Sequence, residues 1–230
     1  TVLEARKGRH IRRNNMANRS TAGFGFKAAM RIGNTPAISG QSKYVIKDNT
    51  GVGLFKNNPV ALEDSSGAQG NLQDMSFATT DDTGAGGLAY AAGTDASLVG
   101  VFNGAFFIDS TTSKPTFANS VAAGQRFGTN PNTGSTNGVG FVNDDPFQEY
   151  VCKADAAVTQ AIQGQCGNVN NFTATDAKDG QSTATLDVGA LAETHMFRVI
   201  RSAEDPDNED LTAAGANVIV AINSAANLYN

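Results

Sequence analysis

The stretch that decides the fold runs Leu98-Val99-Gly100-Val101-Phe102-Asn103-Gly104-Ala105-Phe106-Phe107-Ile108-Asp109. Two apolar runs flank an Asn-Gly pair. Both residues of that pair tolerate a positive φ, which makes it the strongest short-range signal for a β-hairpin. The expectation is two antiparallel strands, 98–102 and 105–109, joined by a two-residue turn. Strand-like runs continue on either side. Upstream lie 44–46, 52–55 and 59–62; downstream lie 138–142, 147–153, 184–188, 195–201 and 217–223. A further run, 114–117, is an edge candidate because it contains Pro115. Residues 155–163 are the one helix candidate, with Val158 and Ile162 four apart and Gly164 as a stop. Short strands with Gly, Asn and Asp turns predict a mainly β chain, an antiparallel β-barrel or sandwich with one short helix.

The 230 residues suffice for one large or two small domains with a real core. Apolar residues make up 40% and charged residues only 17%, with 25 glycines and no tryptophan, so aromatic mass in the core rests on phenylalanine. The glycines follow no three-residue period, which excludes a collagen-like chain. No apolar run approaches the ~18 residues that a membrane-spanning helix needs, and no membrane partner is expected. The first residues lack the charged, apolar and small-residue pattern of a secretory signal.

Charge is unevenly spread. Residues 1–32 hold eight basic side chains against the single acid Glu4, while the chain as a whole is net −5. A basic arm on an acidic body fits a nucleic-acid tail, but a plainer explanation exists. The first methionine is Met16, and Arg12-Arg13 stands just before it. Coded AGG-AGG, those arginines would spell a bacterial ribosome-binding site ahead of an ATG. Residues 1–15 are therefore expected to be a read-through leader that is not native, and no nucleic-acid partner is expected. Residues 16–40, small, polar and Gly-punctuated, read as an extended N-terminal arm. Residues 41–230 read as a β-rich domain with a long Gly/Ala/Ser-rich loop over 64–96.

Chemistry-bearing constellations are few. The turn 204–210 is dense in carboxylates, and acidic loops supply oxygens to calcium. Asp205, Asp207 and Glu209 are the candidate ligands. The run lacks the glycine and the distal Glu of an EF-hand loop, so surface acids in a hairpin turn are the plainer reading. Outside the leader His195 is the only histidine, and no Gly-x-Ser-x-Gly elbow, P-loop or dinucleotide fingerprint occurs. Cys152 and Cys166 either pair or serve as small buried hydrophobes. No catalytic residue, no metal and no cofactor is expected, and the chain does not read as an enzyme.

Several segments resemble small virion structural proteins of tailed bacteriophages that infect marine bacteria. They are Met16-Ala-Asn-Arg-Ser-Thr-Ala-Gly-Phe-Gly25, Ile32-Gly-Asn-Thr-Pro-Ala37, Gly100–Asp109, Asn143-Asp-Asp-Pro-Phe-Gln-Glu-Tyr150, Asp205-Pro-Asp-Asn208 and Val218-Ile-Val-Ala-Ile-Asn223. The resemblance implies a β-barrel virion component of the phage head, a capsid decoration protein whose partners are the major capsid protein and further copies of itself, for example as a trimer. On that reading Phe24 and Phe26 are the arm's capsid-contact anchors and the acidic loop faces solvent. The alternative is a tail-fibre adhesin that binds host glycan. A glycosidase using paired acids such as Asp144 and Glu149 is a third class, disfavoured by the poverty of stacking aromatics.

Overall fold

The computed structural model describes residues 18–33, 35–36, 40–46, 48, 53–62, 77–78, 98–132, 134–171, 175–176 and 179–227. The expected leader, 1–15, and all of the loop 64–96 except 77–78 lie outside the described residues. In chain order the strands are β1 (Lys27–Arg31), β2 (Thr35–Pro36), β3 (Ser42–Ile46), β4 (Leu54–Phe55), β5 (Pro59–Leu62), β6 (Phe77–Ala78), β7 (Leu98–Ile108), β8 (Pro115–Ala118) and β9 (Ser120–Val121). They continue with β10 (Gly138–Asn143), β11 (Gln148–Lys153), β12 (Cys166–Asn170), β13 (Thr175–Asp176), β14 (Gln181–Ser182), β15 (Thr185–Asp187), β16 (Phe197–Ser202) and β17 (Asn217–Ile222).

The fold is mainly β and antiparallel. One sheet has the order β15-β12-β16-β17-β11-β1-β2, and the other β3-β10-β7-β5-β6 with β8 also on β7; β13-β14 and β4-β9 are small ribbons. Among the described residues both large sheets stay open, ending at β15 and β2 and at β3 and β6. The barrel half of the expectation is thereby corrected, and a sandwich-like arrangement fits. The two sheets share a core: Leu98 and Val101 of β7 pack in one buried cluster with Tyr150, Phe197, Val218 and Val220.

The decisive stretch does not turn. Residues 98–108 form one continuous strand, so the hairpin at Asn103-Gly104 is corrected. Asn103 is instead an extra residue in the ladder, since Phe102 pairs with Val142 and Gly104 with Phe141. Val99 is a second one, because Leu98 pairs with Ala61 and Gly100 with Val60. Each β-bulge shifts the alternation of faces by one residue. As a result Leu98 and Val101, three apart, enter one core. Val99, Phe102, Ala105 and Phe107 enter a second core with Ile46, Leu54, Val121, Phe127 and Val142. Gly104 takes a φ of +134° at the second bulge, which explains the glycine without a hairpin.

The expected helix also shrinks, to a single 3-10 turn at Gln160–Ile162. The first bond that such a helix would make is replaced: Val158 N–H, which would donate to the Ala154 carbonyl, donates to the Leu211 carbonyl at 2.8 Å, and the Ala154 carbonyl accepts from Gly215 N–H at 3.0 Å. Tertiary pairing has displaced the local period.

The arm belongs to the body. The Asn18 side chain donates to the carbonyls of Asp210 (2.9 Å) and Ala214 (3.0 Å) and accepts from the Asp210 N–H at 3.0 Å. Gly25, at φ +75°, sits where a Cβ would overlap the Asn57 carbonyl. The close approach lets Phe26 N–H donate to that same carbonyl at 2.8 Å. Lys27–Arg31 then pairs with β11 as an interior strand of the first sheet. The arm is therefore extended, but over residues 18–31 it lies on its own domain.

Candidate functional site

The seam where β1 passes β7 holds a cleft of about 780 Å³. Its construction follows from the bulged strand and the tethered arm. Asn57, at φ +68°, accepts from Phe26 N–H and donates its own N–H to the Phe102 carbonyl at 2.8 Å, while its side chain reaches the Phe24 carbonyl at 3.2 Å. One left-handed asparagine thus joins arm and sheet. Phe26 forms part of the lining, fully buried and stacked on Phe197 with centroids 4.2 Å apart. Tyr150 meets Phe197 edge-on at 6.3 Å and donates its hydroxyl to the Asn143 carbonyl at 3.1 Å. Burial pushes that phenol's pKa well up, with Asp145 and Asp144 adding to the effect.

The lining is amide-rich and cationic. Gln41, Asn57, Asn103, Asn143, Gln181 and Asn217 contribute amides, and Lys27 and Lys56 contribute charge; no carboxylate stands among the described lining residues. Behind Phe24 the Lys153 ammonium lies 5.9 Å from the ring centroid, within cation–π range. It donates to Asn208 Oδ1 at 3.1 Å and to the Gly215 carbonyl at 3.2 Å. Loss of water lowers its pKa, partly offset by Asp205.

The structure separates the residues singled out from sequence. Phe24 is half-buried at the cleft. Phe26 is buried in the chain's own core, so its expected role as a capsid anchor is corrected: a ring at 0% exposure has no surface to offer. In the acidic turn Asp205 accepts from Asn208 Nδ2 (3.1 Å), Asp207 N–H (3.1 Å) and Asn217 Nδ2 (2.6 Å). Asp207 pairs instead with Arg19 at 3.1 Å, exposed to solvent, and Glu209 is exposed. Asp205, Asp207 and Glu209 do not converge, and among the described residues no group of three or more His, Cys, Asp or Glu could hold a metal ion. The turn is held by side-chain and backbone bonds. Cys152 and Cys166 are both free and buried. Glu149 is buried on a bidentate ion pair with Arg201, at 3.1 and 2.9 Å, and so is committed to structure.

The bonds to Asp205 hold its carboxyl below the ordinary range, the Asn208 side chain contributing most and the Asp207 N–H next. A carboxylate with a depressed folded pKa stabilises the fold above its unfolded pKa, and that contribution is lost as pH falls through the folded value. Melting temperature measured between about pH 5 and pH 2 should therefore fall less steeply in Asp205→Asn than in the parent, with the variant less stable at neutral pH. Parallel curves would show that Asp205 does not anchor the turn.

The amide set gave no local signal. Its members come from separate elements, and each looked like an ordinary turn or strand residue. Comparison of the chain with family models, curated proteins and solved structures finds no match.

Proposed function

We propose that the chain is a structural protein of a phage virion, a capsid decoration protein that stabilises the head through many copies bound to the major capsid protein. The observation that carries this reading is an exposed apolar patch at the β1–β11 end of the first sheet. Met30 is 46% exposed, Ile32 50% and Phe147 57%, and Ile32 N–H donates to the Phe147 carbonyl at 2.9 Å, so the two residues are neighbours. Large apolar side chains grouped at a surface are the usual mark of a contact site. Burying each would contribute on the order of 1–2 kcal/mol. Lattice symmetry then multiplies a modest contact into cage stability. The segments that resemble phage virion proteins, spread over 16–223, support the same reading. With Phe26 withdrawn, the contact moves to Met30 and Ile32 further along the same arm and to Phe147 beside them. Self-association, as a trimer, fits the symmetry of three-fold lattice positions.

The test is quantitative mass spectrometry of purified virions against the major capsid protein, together with head binding by an Ile32→Ser/Phe147→Ser variant. Hundreds of copies per particle are expected, and at least about tenfold weaker binding by the variant. A handful of copies would move the protein to the tail, and its absence from particles would overturn the reading. The amide-lined cleft favours the tail-adhesin reading instead.

A further inference from the structure

The cleft holds more chemistry than a lattice contact uses. Asn143 and Asn217 are each only 7% exposed, and each carries an Oδ1 with no hydrogen-bond donor among the described residues. Both residues line the cleft. Both oxygens have almost no accessible surface, so the amides that a ligand in the cleft reaches are those of exposed Gln41 and of half-buried Asn103 and Gln181. Lys27 is exposed and Lys56 half-buried, and neither meets a carboxylate among the described residues. In a chain of net charge −5, this wall is locally positive and free of acids. Phe24 adds an apolar ring. The volume, about 780 Å³, falls within the ordinary range of roughly 300–1,000 Å³ for ligand sites.

From this set we infer that the cleft binds an acidic oligosaccharide, a short chain of uronate sugars. The hydroxyls of such a ligand pair with the accessible amides of Gln41, Asn103 and Gln181. Its carboxylates face Lys27 and Lys56, and the apolar face of one sugar ring lies on Phe24. An acidic peptide would match the lysines, but it brings no vicinal hydroxyls to a wall of amides. The inference goes beyond the capsid reading and does not depend on it, since a head-bound or a tail-bound copy would carry the same cleft.

Isothermal titration of the full chain decides the matter, with tetragalacturonic acid, the neutral maltotetraose and hexaglutamate as probes. Tetragalacturonic acid should bind with a Kd below about 1 mM at low salt. Lys27→Ala/Lys56→Ala should weaken it by about tenfold or more, and Asn103→Ala should weaken it as well. Lys114→Ala, outside the lining, should leave it unchanged. The melting temperature of each variant, measured alongside, should stay within a few degrees of the parent. Binding of maltotetraose as tight as that of the acid would overturn the role of charge. Equal binding of hexaglutamate would overturn the saccharide, and no binding by tetragalacturonic acid would overturn the site.

Discussion

Gly100→Val is expected to abolish the folded, soluble protein. A Cβ at this position would overlap the Asn143 carbonyl oxygen and come within 2.8 Å of its carbon and 2.9 Å of Asp144 Cα. All three contacts are backbone, so no rotamer change relieves them. Gly100 also pairs with Val60 beside the bulge at Val99, and moving it disturbs both neighbouring strands. The cost is at least about 4 kcal/mol, a large part of what keeps a domain folded. Gly40→Ala provides the control, because a Cβ there meets nothing within 4 Å among the described residues and should change stability by no more than about 0.5 kcal/mol. Soluble yield and thermal melting of the pair read the outcome. Equal behaviour would mean that β7 does not approach the 143–144 backbone as described.

Phe26→Ala is the second large effect, and it separates two roles for one residue. As a capsid anchor Phe26 would be lost without harm to the isolated chain. As a fully buried ring stacked on Phe197 at 4.2 Å, its removal opens a cavity and costs about 3–5 kcal/mol. In a chain of this size that lowers Tm by roughly 10 °C. Phe24→Ala, half-buried, should lower it far less. Calorimetry of the two purified variants is sufficient. An unchanged melting temperature for Phe26→Ala would return the residue to the surface and the arm to a free role.

Legibility followed whether a signal was local. The runs behind β3, β10, β11, β16 and β17 alternate or are continuously apolar, and each forms the strand expected. The Asn103-Gly104 pair misled because the same two residues suit a turn or a bulge. What settles the choice is the presence of β5 and β8 side by side on one edge of β7, pairing with 98–101 and 105–108, a long-range fact. β1 was missed because Lys27, Ala28 and Met30 are exposed, leaving no buried stripe to read. The 155–163 segment carried a helical period, yet Val158 N–H donates to Leu211 in a distant turn instead of to Ala154. The cleft was illegible for a related reason: six amides scattered over the chain become a wall only after two sheets meet.

The two bulges make β7 a member of both hydrophobic clusters, with Leu98 and Val101 in one and Val99, Phe102, Ala105 and Phe107 in the other. A strand that alternated strictly would pair Leu98 with Phe102 and Val99 with Val101, and could not hold these sets. The consequence is thermodynamic. Neither cluster can loosen without withdrawing side chains from its neighbour, so the halves are expected to melt in one transition. The two cores should then act as one cooperative unit, bound by a single strand whose irregularities are the coupling.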